Sequence, residues 1–134
     1  MASNIKIVTT TRNAMVDAIT TAVGASGLLK IYDGAQPTTV ATALGAQVLL
    51  AQLALSATFA PAAASGVLTA NAITQDSSAD ATGTAAWYSL QTSAAVRVVE
   101  GTVAASGADL NLNTVSIVLG GPVAVTSFTY TAPG

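Results

Sequence analysis

The chain has 134 residues, 51% of them apolar and 7% charged, with a net charge of −2 and neither histidine nor cysteine. Those absences exclude imidazole zinc sites, thiolate chemistry, disulfides and a Ser-His-Asp triad. Mean hydropathy is +0.62, but 29 of the apolar residues are alanine, and the larger side chains left over fill one small core rather than several membrane spans of about 20 residues each.

Residues 1–8 read as an extended arm. Lys6 splits Ile5 from Ile7, so no apolar stretch of signal-peptide length forms. A helix follows over residues 11–23. Ala14, Met15, Ala18, Ile19, Ala22 and Val23 recur on one face at a period of 3.6. Thr10 or Thr11 is placed to cap its start, and Gly24 suits the position after its end.

From residue 28 to residue 131 the pattern is strand and turn. LLKIY runs into the Asp33-Gly34 turn, and the apolar run Val48–Leu55 is closed quickly by Ser56 and Pro61. Val67–Thr74 precedes a polar loop, Gln75–Gly83, rich in residues that bond their own backbone. Thr84–Thr92, Ala95–Val103, Leu110–Leu112, Val115–Leu119 and Val123–Thr131 then follow at short, turn-punctuated intervals. Many short strands at that spacing predict one mainly β domain over residues 1–134. An antiparallel β-sandwich, jelly-roll-like by preference, is expected, with the single helix on an edge or open end.

Candidate chemistry is sparse. The four cations Lys6, Arg12, Lys30 and Arg97 are too scattered to neutralise a row of phosphates, so no nucleic-acid partner is expected. The acids are Asp17, Asp33, Asp76, Asp80, Glu100 and Asp109, and nothing in their spacing selects the facing pair a glycosidase needs. Asp76 and Asp80 could offer oxygens to Ca²⁺, but their loop lacks the cadence of a calcium site and reads as a self-bonded turn. No catalytic residue, metal, cofactor, membrane contact or small-molecule substrate is expected.

Trp87 and Tyr88 are adjacent on a strand and so point to opposite faces. One reading is a core Trp with a surface Tyr; the other makes the outward ring an interface anchor, and Tyr32 is treated alike. The arm residues Asn4, Ile5, Lys6 and Ile7 are candidates for adding a strand to a neighbour's sheet edge. Scarce charge points the same way, because interface cores are depleted of charged residues.

RNAMVDAITTAVGASGLLKIYDGAQP (Arg12–Pro37), SSADATGTAAWYSL (Ser77–Leu90), Gly107–Ile117 and Val123–Pro133 together resemble the small virion proteins of tailed bacteriophages. The likeness is one of texture and segment order and carries no catalytic signature. It implies a capsid decoration (cement) protein, made in the bacterial cytoplasm and bound on the capsid exterior. Its partners would be the major capsid protein and itself, as a homo-oligomer (dimer or trimer). The alternatives are a neck or tail component and a carbohydrate-binding β module.

Overall fold

The computed structural model describes residues 5–108 and 110–133. Its order is helix α1 (Thr9–Val23), then strands β1 (Leu28–Tyr32), β2 (Leu49–Ala54), β3 (Val67–Thr69), β4 (Gly83–Thr84), β5 (Trp87–Gln91), β6 (Arg97–Ala104), β7 (Leu110–Leu112), β8 (Ser116–Ile117) and β9 (Val125–Thr131). Seven strands make one sheet in the order β2-β1-β5-β6-β7-β9-β3, while β4 and β8 form a separate ribbon. Every pairing is antiparallel except β6 with β7. The chain is thus mainly β with one helix, and the expected strand segments are present. Thr84–Thr92 divides into β4 and β5 at Ala85-Ala86.

Register dictates what lines the interior. Leu53, Leu29, Leu90 and Val99 stand in one cross-strand row, and Ala51, Ile31, Tyr88 and Gly101 in the next. Val103, Leu110 and Phe128 continue the same face, as do Tyr130 and Leu68 at the far edge. The sheet is strongly curled. β5 and β9 are three strand spacings apart, about 14 Å in a flat sheet, yet the Tyr88 and Phe128 rings meet edge to face with centroids 5.2 Å apart. Phe128 also meets Phe59 and Tyr130 at 5.5 and 5.1 Å, and the Tyr88 and Tyr130 hydroxyls hydrogen-bond to each other. Gly101 is required here, since a Cβ at this position would lie 2.9 Å from the Tyr88 ring.

The curl brings the two sheet edges together. Thr74, just past β3, forms a bridge to Ala54 at the end of β2. Leu50 O accepts from Asp80 N at 2.8 Å, and Gln52 N donates to Asp76 Oδ2 at 3.1 Å, so the outer edge of β2 is occupied. On the other edge, Val67 and Ala64 exchange backbone hydrogen bonds in a tight turn. Covered edges of this kind block strand-to-strand aggregation.

The helix lies across the end of the curl where β3 and β6 begin, touching both. It starts at Thr9, with Val8 as a cap residue that makes no side-chain bond, and ends at Gly24, whose φ of +71° suits glycine. The face it buries differs from the one the sequence pattern predicts. Val16 and Val23 are buried and Ile19 partly so, whereas Ala14, Met15, Ala18 and Ala22 are exposed. Alanine costs little in either setting, so the β-branched residues at i, i+3 and i+7 decide the orientation. Polar bonds finish the docking: Asn13 Oδ1 accepts from Gly66 N and Asp17 Oδ1 from Ala63 N, both at 2.8 Å, and Arg12 donates to Ala132 O.

Because Phe128 joins three rings across the interior, Phe128→Ala should remove about 3–5 kcal/mol of stability, measured as a lowered urea midpoint with β-type circular dichroism retained in water.

Candidate functional site

The outer face of β1, β5 and β6 carries the densest polar grouping among the described residues. On β5 all five residues are buried. Tyr88 and Leu90 turn inward to the core, while Trp87, Ser89 and Gln91 turn outward. In register with them lie Tyr32 and Lys30 on β1 and Thr102, Glu100 and Arg97 on β6. Arg97 and Glu100 are three apart and would ordinarily point to opposite faces. The bulge opposite Leu90 and Gln91 skips Val98 and puts both on the outer face.

Their geometry is tight. Arg97 Nε lies 2.7 Å from Glu100 Oε2, and the Glu100 side chain is only 1% exposed against 17% for Arg97. Neither carboxylate oxygen has a hydrogen bond of good geometry, nor does the Gln91 amide oxygen, although Gln91 Nε2 donates to Ser89 Oγ at 3.0 Å. The Tyr32 ring stacks on Trp87 at 4.5 Å, and Trp87 Nε1 donates to Asp33 O at 3.1 Å. Burial pushes the Glu100 carboxyl above its ordinary value, outweighing the opposing pull of Arg97. Burial also raises the Tyr32 hydroxyl, against the lowering effects of the Gln91 amide and Arg97.

The segment between β1 and β2 reaches over this face. Its ends are pinned where Asp33 and Val48 exchange backbone and carboxylate bonds. Its middle is held by Arg97 Nη2, which donates to Thr39 O at 3.4 Å. Within the segment, Gln47 bonds Gly45 N and Ala35 O, and Thr42 bonds Thr38 and Thr39. It is therefore a self-braced flap with one hydrogen bond from its middle to the sheet among the described residues.

Asp17, Asp33 and Asp76 are committed to backbone amides. Asp33 Oδ1 accepts from Val48 N at 2.7 Å, and Asp17 serves Ala63 N. Asp76 accepts from Gln52 N and Ser78 N and pairs its own backbone with Val123. Asp80 is exposed and contributes its backbone amide to Leu50. Among the described residues no group of three potential metal ligands gathers. Asp109 lies outside them.

Of the expected interface residues, Asn4 also lies outside the described residues. Ile5 and Lys6 are exposed and Ile7 partly buried. Tyr32, Trp87 and Tyr88 are covered by the chain's own residues, at 6, 0 and 1% exposure. The pairing of a core Trp with a surface Tyr is thereby corrected, since both faces of β5 are covered and each ring is buried on its own side. In this fold none of the three rings lies open at the surface. Large aliphatic residues are exposed at several places: Ile5 and Val8 of the arm at 72 and 67%, Leu44 and Val48 of the β1–β2 connection less so, and Val96, Val118 and Leu119 at 60, 60 and 63%. Gly120, with φ +80°, and Gly121 follow the last two in the chain. Sequence reasoning passed over them because a short apolar run before Gly-Gly-Pro looks like the end of a core strand.

No helix among the described residues is long and apolar enough to cross a membrane. Comparison with protein-family models, with curated proteins and with solved structures gave no match.

Since Asp76 satisfies two amides at the edge of β2, Asp76→Ala should cost about 1–2 kcal/mol. Thermal unfolding measures it, and added Ca²⁺ should leave both the parent and the variant midpoints unchanged.

Proposed function

We propose that the chain is a non-enzymatic structural protein of a tailed-phage virion, a decoration protein bound to the major capsid protein on the outside of the head. It acts as a homo-oligomer, made in the host cytoplasm and assembled onto the shell. The observation that carries this reading is the braced apolar tip Val118-Leu119. Leu119 N donates to Thr82 Oγ1 at 2.9 Å, Gly120 N to Ala79 O at 3.0 Å and Gly121 N to Val118 O at 2.8 Å. Two exposed aliphatic side chains on a turn fixed by three bonds meet a partner with little further ordering cost. With only 7% of the chain's residues charged, little desolvation penalty is added around them.

A repeating shell supplies the rest. Modest contacts at many symmetry-related sites become collectively strong when subunits are linked as oligomers. The acids tied to backbone amides leave little for catalysis to use. The jelly-roll-like sandwich belongs to the same proposal, because a curl that sets β5 opposite β9 has the form two facing layers need.

Quantitative mass spectrometry of purified virions tests the reading. Hundreds of copies per particle are expected, a few dozen would move the protein to the neck or tail, and absence would overturn the proposal. Leu119→Asp should lower occupancy at least tenfold, the loss expected when about 1.4 kcal/mol or more of contact is removed, with an unchanged unfolding midpoint. Deleting Ala2–Ile7 should likewise lower occupancy if the arm adds a strand to a neighbour.

A further inference from the structure

We propose that the Asp33–Val48 segment is a pH-governed flap that ionised Glu100 favours opening and protonated Glu100 favours closing. The inference stands apart from the virion reading and needs no partner. Its basis is the mismatch beneath the flap. A carboxylate with 1% side-chain exposure has one cation beside it, at 2.7 Å, and no well-directed hydrogen bond to either oxygen. Burying a charge so incompletely compensated costs more than the pair returns. The closed flap therefore holds an ionised Glu100 at a penalty, and opening lets water reach it.

Among the described residues the groups facing Glu100 are few. From its own strand comes Arg97, which also holds the flap at Thr39 O. From β5 come Ser89, opposite it in register, and Gln91, both neutral. From β1 come the Tyr32 hydroxyl and, one row position beyond Ser89, Lys30, which makes no ion pair with Glu100 among the described residues. Asp33 lies at the flap's base, where its carboxylate accepts from Val48 N. The flap itself brings only a carbonyl to the cluster.

The sign follows from linkage. Glu100 binds its proton more tightly closed than open, because burial raises its pKa above the ordinary carboxylate value. Acid therefore favours closure. As pH rises through the interval that begins near the ordinary value of about 4.3, the open fraction grows, tenfold for each unit by which closure raises the pKa. Opening at the flap's base, where Asp33 O holds the Trp87 indole N–H, exposes the stacked Tyr32–Trp87 pair to solvent.

Trp87 is the single tryptophan, so acrylamide quenching of its fluorescence in the full chain reads the flap directly. Quenching should increase between pH 4 and pH 7.5 while far-ultraviolet circular dichroism stays constant. Glu100→Gln should abolish that rise and hold quenching at the low-pH level. Arg97→Gln, which removes both the cation paired with the carboxylate and the flap's bond at Thr39 O, should raise quenching above the parent's at every pH. Asp33→Asn should leave the Glu100-dependent rise in place. Flat quenching in the parent chain, a rise towards acid, or a rise that survives Glu100→Gln would overturn the proposal. Should Glu100→Gln fail to fold, the sign of the parent chain's pH dependence, retained in Asp33→Asn, decides alone.

Discussion

Burial of β5 on both faces is the constraint from which the rest of the structure follows. A strand's alternate side chains must then enter two different environments. Tyr88 and Leu90 enter an apolar interior, and Trp87, Ser89 and Gln91 a polar layer outside it. The interior demand is met by curling the sheet until β9 delivers Phe128 against Tyr88. The exterior demand is met by the long β1–β2 connection, which lies over the outer face and takes the Trp87 indole N–H at its hinge.

Little polar capacity remains once those demands are satisfied. Asp17, Asp33 and Asp76 each satisfy backbone amides that a small curled sheet leaves open at its edges and connections. Asn13 does the same for Gly66 beneath the helix. A chain with only ten charged residues thus uses three of its six acids as architectural acceptors. Glu100 differs from them: a cation holds it, no amide serves it, and that same cation bonds the β1–β2 connection. A polar group left short of partners in this way marks where a fold has a second state available.

The sheet was largely legible in the sequence because its turns are chemically explicit. Asp33-Gly34 and Gly120-Gly121-Pro122 bound their strands, and DLNLN shows the alternation that buries Leu110 and Leu112. The helix was legible as a helix but not in its orientation, since alanine gives an apolar periodicity that burial does not require. Neither the outer polar layer nor the tip could be read. Arg97 and Glu100 meet only through a bulge that shifts parity by one, and sequence spacing by itself assigns them to opposite faces. Tyr32, Trp87 and Tyr88 stand out as scarce aromatics, and scarcity does not distinguish a ring held inside from one offered to a partner.

Residue-resolved native-state hydrogen exchange tests the two-sided burial of β5 most directly. The amides of Ser89 and Leu90 should exchange only through global unfolding, tracking the denaturant dependence of the whole domain, while the flap residues between Gly34 and Gln47 exchange through a local opening independent of denaturant. Exchange of β5 by local opening, or flap amides protected to the same level as β5, would contradict the account.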